Sequence, residues 1–176
     1  GSVRPWWLQE VPFLEFREIS ASAVATRSEL GVVLGVSGQY FLLPLEPWRV
    51  VLEVEVLVSM LLQELPEASL VIPGVSGAFD LCRDVLGRLT RAGVELGRVV
   101  CLRRELTESL WMGLLRHAVG VLDGPIPMGA EVVADALAMA APIVAWDSGP
   151  PPRVAAAVLK ASPAPHVRRL VVQGAA

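Results

Sequence analysis

The stretch "VLDGPIPMGAEVVADALAMAAPIVAWDSG", Val121 to Gly149, holds the residues best placed to do chemistry. An apolar run of strand length meets a Pro/Gly turn, a helix of small residues follows, and a second apolar run closes the unit. A helix that opens after a strand presents unsatisfied amides and the positive end of its dipole, which together can hold an anion such as phosphate. Gly129 permits close backbone approach, and the amides of Ala130, Glu131 and Val132 face the turn. Asp135 lies further along that helix, on a face able to reach a ribose, and Asp147-Ser148-Gly149 ends the next strand at the same edge. The competing reading is that Gly124 to Gly129 only connects two elements, and for Asp147 to Gly149 that "DSGPPP" makes a turn into a proline-started helix.

Other reactive residues point to packing. His117 has no Gly-x-Ser-x-Gly nucleophile pattern near it and reads as a structural or surface histidine. "GVSGAFD", Gly74 to Asp80, follows a strand and opens a helix, but lacks the Gly-x-Gly-x-x-Gly spacing, so Ser76 is expected as a helix cap. Cys82, Cys101, His117 and His166 make no cluster at metal-ligand spacing. The two cysteines are expected as buried thiols of a reduced compartment, which places the chain inside the cell, in cytoplasm or nucleus. Trp6, Trp7, Trp48 and Trp111 mark either an interface or the core.

The elements that must position these residues follow from periodicity. Strand-length runs in "GVVLG", "YFLLP", "SLVI", "RVVCL", "AVGVLD", "APIVAW" and "RRLVV" alternate with helical stretches. One helix is expected over Trp48 to Leu65, with Val51, Val54, Val58, Leu61 and Leu65 inward and Glu53, Glu55 and Glu64 in water. A second carries Phe79, Cys82, Leu86 and Leu89, and Thr107 should cap a third that carries Leu110, Trp111, Leu114 and Leu115. Repeated βα units with right-handed crossovers predict an α/β fold: an open, doubly wound, mostly parallel Rossmann-like sheet of about six strands with helices on both faces. Residues 1–30, with "RPWWLQEVPFLEF", have no clear period and are expected as an irregular leader before a domain spanning 31–176.

Composition agrees. At 53% hydrophobic, with few aromatics and a net charge of -3, the chain suits strands buried on both faces and disfavours nucleic acid as a partner. Its apolar runs are broken well before the ~20 residues a membrane span needs, and no cleavable signal segment is recognised.

The run Leu122-Asp123, Pro125, Gly129, Asp135, Ala136-Leu137 and Pro142, continued by "PPPRVAAAVLKASPAP", resembles the C-terminal, nucleotide-sugar-binding half of GT-B glycosyltransferases. The similarity is greatest to the protein O-linked N-acetylglucosamine transferase family, whose helix here opens with His-Thr-Thr and is followed by Gly-x-Pro and a strand. "FLLPLEPW" and "LLQELPEASLVI" extend it upstream, over about Arg27 to Val172. The resemblance implies a UDP-sugar donor site, with the diphosphate over the Gly129 turn and Asp135 on the ribose. Gly129, Ala130, Glu131, Val132, Asp135 and Asp147 are its candidate site residues, and Arg153 supports packing.

The departures are specific. Ala130, Glu131 and Val132 replace His-Thr-Thr, and a carboxylate there repels a diphosphate. Phe41 and Pro44 stand where the family has a glutamine and the lysine that neutralises the leaving group. Arg49, Arg103 and Arg104 are the possible replacements for that cation. The second GT-B domain is not in this sequence. The expectation is a degenerate, non-catalytic scaffold or protein-interaction module that requires no cofactor; the alternative is the donor domain of an active enzyme, with UDP-sugar as ligand. The partner is a second GT-B-type domain or another protein.

Overall fold

The computed structural model describes residues 23–74, 79–147, 153–161 and 171–172. In chain order they form α1 (Arg27–Leu34), β1 (Gln39–Leu42), α2 (Leu52–Glu64), β2 (Ala68–Pro73), α3 (Phe79–Arg91) and β3 (Val99–Leu102). Then come α4 (Glu108–His117), β4 (Gly120–Leu122), α5 (Ala130–Ala138), β5 (Ile143–Trp146), α6 (Val154–Ala161) and β6 (Val171–Val172). The six strands form one sheet in the order β3-β2-β1-β4-β5-β6, with every neighbouring pair parallel. The expected doubly wound sheet is therefore observed. Right-handed crossovers put α2 and α3 on one face and α4, α5 and α6 on the other. The packing agrees: α2 touches α3, while α1, α4, α5 and α6 touch in succession.

The strands are short and almost continuously apolar because both faces are covered. Leu42, Leu70, Val71, Ile72, Val121 and Ala145 are all fully buried. Val54, Val58 and Leu62 seat α2 on the sheet, each contributing about 1.5–3 kcal/mol by burial. Arg98 closes that helix by donating to the carbonyls of Leu62, Leu65 and Ala68. On the other face the Tyr40 hydroxyl donates to the carbonyl of Leu114 at 2.7 Å, joining β1 to α4, and burial pushes the phenol's pKa well above its ordinary value.

Four expectations are corrected. "GVVLG" is helical: Thr26 and Glu29 form a reciprocal capping box, and Gly35 closes α1 in the left-handed conformation at φ 69°. α1 thus crosses residue 30, where the leader was expected to end, and Val24 and Ala25 already lie in the core. The Ala25 amide donates to the Ser109 carbonyl, beside Gly113, where a Cβ would come within 2.7 Å of the Ala25 carbonyl oxygen. Residues 1–22, including Trp6 and Trp7, lie outside the described residues.

Glu55 is not in water. Val51 is the N-cap of α2, so the helix is rotated to turn Glu55 and Ser59 toward α3. The buried Glu55 carboxylate accepts from Arg88, which also donates to the Val50 carbonyl, and Ser59 donates to Ala92. Cys82 and Cys101 are not thiols: they form a disulfide between α3 and β3, with Cα atoms 6.2 Å apart.

Candidate functional site

The strand order reverses between β1 and β4, so the crevice outside the carboxyl ends of these two strands is where an open α/β sheet binds ligands. Two loops flank it: Leu43 to Val51 after β1 and Asp123 to Gly129 after β4. Sequence patterns pointed to the second loop and the family resemblance to the first, through Pro44 and Arg49, and the topology sets both beside one crevice.

The β4 loop is built around Asp123. Its buried carboxylate accepts from the Met128 amide at 2.9 Å and from the Trp146 amide at 3.4 Å, tying the turn to the end of β5. Burial raises the Asp123 pKa, opposed by the amides of Met128, Gly124 and Trp146 and by Arg153. Arg153, just before α6, donates to the carbonyls of Gly124 and Pro125 at 2.9 and 2.7 Å, the supporting role expected for it.

From the other side Arg49 donates to the Pro127 carbonyl at 2.9 Å and pairs with Glu46 at 3.0 Å. This bond bridges the crevice. Gly124 is packed beneath it, and a Cβ there would meet Leu45 and Val54 at 3.1 Å. Arg49 thus touches the turn. Arg103 and Arg104 are exposed beyond β3, three strands from β4, or roughly 14 Å at about 4.8 Å per spacing. Pro44 is half-buried after β1, and Phe41 is buried within that strand.

The proposed ligand residues divide. Gly129 is exposed, with open space where a Cβ would stand, and α5 begins there without any side-chain cap. The amides of Ala130, Glu131 and Val132 thus meet no capping side chain, and Glu131 points into solvent. Asp135 is half-buried and accepts from the indole Nε1 of Trp111 on α4 at 2.9 Å. Asp147 pairs with Lys160 of α6. The structure brings the Gly129 turn and the end of β5 to one edge through Asp123, while the two candidate carboxylates each contact another helix.

Elsewhere the expectations fall to structure. Thr107 caps α4 by accepting from the Leu110 amide. His117 ends α4 at the edge of the sheet opposite the Gly129 turn, because α4 runs antiparallel to the strands. Gly74 lies so close to the Leu102 carbonyl that a Cβ would overlap it at 1.7 Å, which explains this glycine by close packing. Ser76, Ser148, Gly149 and His166 lie outside the described residues. Among the described residues no cluster of three or more His, Cys, Asp or Glu could hold a metal, and no helix is long and apolar enough to cross a membrane.

No protein-family model matches the sequence, and no curated protein does. Solved structures do match. An O-GlcNAc transferase from Thermobaculum terrenum superposes with a TM-score of 0.64 at 20% identity, over 76% of this chain and 25% of that one. HepE of Anabaena, solved in complex with UDP and glucose, gives 0.51 at 23% identity, over 74% and 35%. The C-terminal domain of a group 1 family glycosyl transferase from Francisella tularensis gives 0.52 at 12% identity, over 73% and 70%. The chain spans about a quarter of the first and a third of the second, and at these identities the likeness is one of fold. The chain has the fold of one Rossmann-like half of a GT-B glycosyltransferase.

Proposed function

We propose that this chain is a glycosyltransferase-like domain that no longer transfers sugar, a scaffold or protein-interaction module descended from a UDP-sugar-binding domain. The observation that carries this reading is the Arg49 to Pro127 bond, which joins the two loops across the crevice a donor would enter. Supporting it, Asp135 contacts Trp111, Asp147 contacts Lys160, and position 44 is a proline with neither charge nor amide hydrogen to offer a diphosphate.

The second reading, retained donor binding, has one observation in its favour. The amino end of α5 is uncapped and open at Gly129, on a turn held rigid by Asp123 and Arg153. Titration with uridine diphosphate, followed by amide shifts, separates the two. The scaffold reading expects no saturable shift at millimolar ligand, whereas micromolar binding abolished by Asp135→Ala would overturn it. Glu131→Thr combined with Val132→Thr should create affinity if only those side chains were lost.

A further inference from the structure

The outer face of α2 is unusual for a helix packed on a sheet. Leu52, Val56 and Met60 are 69%, 50% and 61% exposed, and Trp48 just before the helix is 56% exposed. Their i, i+4, i+8 spacing puts the three helical residues in one stripe over successive turns. Single exposed apolar residues need no explanation, but a contiguous stripe marks an interaction surface. Along its amino-terminal end an open groove of about 430 Å³ lies between α2 and α3, lined among others by Trp48, Val51, Leu52, Leu81 and Asp84.

The rim of this surface is acidic. α2 contains no lysine or arginine, and its exposed flank carries Glu53 and Glu64, while Asp84 stands on the α3 wall. Of the arginines on α3, Arg83 pairs with Asp80 and Arg88 with Glu55, while Arg91 stands exposed in the last turn. A second copy of the chain would set the same acidic residues against each other across a two-fold axis. An anionic lipid surface is likewise repelled, since such surfaces attract lysine and arginine.

We propose that this stripe and groove dock a basic amphipathic helix from a partner protein or domain, with apolar anchors at i, i+4 and i+7 against Leu52, Val56, Met60 and Leu81, and with lysine or arginine facing Glu53, Glu64 and Asp84. The Trp48 end of this surface belongs to the Leu43 to Val51 loop that also flanks the β1/β4 crevice, while Leu52, Val56 and Met60 lie on α2 itself.

The test is a display selection on the full 176-residue chain. The probe is a library of helix-forming peptides of about five turns with fixed apolar anchors and flanking positions randomised among Lys, Arg, Glu and Gln. Enrichment of Lys and Arg is expected, with amide shifts confined to α2, α3 and the Trp48 turn. Val56→Asp should weaken the selected peptide at least tenfold, and so should Glu53→Lys combined with Glu64→Lys. All three positions are exposed, so thermal melts should stay close to wild type. Selection of acidic or neutral flanks, failure to enrich any peptide, or binding unmoved by these variants would overturn the proposal. So would self-association of the chain that Val56→Asp abolishes, or a photocrosslinker at position 56 that captures residues 1–22 of the same chain in place of the peptide.

Discussion

Asp135 is the residue on which the two functional readings diverge, and its bond to Trp111 makes the divergence measurable. If the carboxylate serves structure, removing either partner should cost stability, and removing both should cost less than the sum. A hydrogen bond to a charged acceptor contributes about 1.5–3 kcal/mol when buried. Asp135 is half-buried, so solvent screening brings the expected coupling to about 1–1.5 kcal/mol. The cycle uses Asp135→Ala, Trp111→Phe and the double variant. Trp111→Phe removes the indole donor and keeps most of the apolar ring against α5. Urea unfolding followed by far-ultraviolet circular dichroism gives each free energy, and in a chain of this size 1 kcal/mol moves the melting temperature by about 2–4 °C. Coupling below about 0.3 kcal/mol, the limit at which separate sites simply add, would refute the structural role. A stability-neutral Asp135→Ala that also abolished uridine diphosphate binding would restore the ribose role.

Other predictions follow from single features. Replacing Cys82 and Cys101 together by alanine, or reducing the bridge, should cost about 3 kcal/mol by loop-closure entropy over a separation of 19 residues. Two titratable thiols in the denatured, unreduced protein would show that no bridge exists. Ala140 has φ 55°, where a Cβ costs about 1–2 kcal/mol, so Ala140→Gly should raise stability by about 0.5–1 kcal/mol after the added chain entropy. A lower melting temperature would contradict this. Burial, with Arg27 and Arg116 nearby, lowers the His117 pKa below 6.5. The unfolded chain therefore binds its proton first, and stability should be unaffected above pH 6.5 and fall as the pH drops toward the folded-state value. His117→Gln should flatten the urea midpoint across that window; an unchanged slope would remove His117 as its source.

Much of the fold was legible in the sequence because it is encoded locally. The apolar runs that became β1 to β6 are spaced by helical patterns, and the right-handed crossover rule leaves few ways to stack such units. Apolar content alone makes "GVVLG" resemble a strand, and the Thr26 to Glu29 capping box is the local signal that marks it as part of a helix. Glu55 differs in kind. Its burial depends on the rotation of α2, which is set by where the helix begins and by Arg88 on the next element.

The candidate site divides along the same line. Gly129 at the start of a helix, Asp123 at the end of a strand and a proline at position 44 are properties of neighbouring residues, and the sequence by itself determined them. The bonds from Arg49 to Pro127, Trp111 to Asp135 and Lys160 to Asp147, and the bridge from Cys82 to Cys101, were decided by tertiary structure. Each joins residues whose proximity is created only when the strand order and the helix rotations bring separate βα units together, a geometry that no periodicity along the chain records.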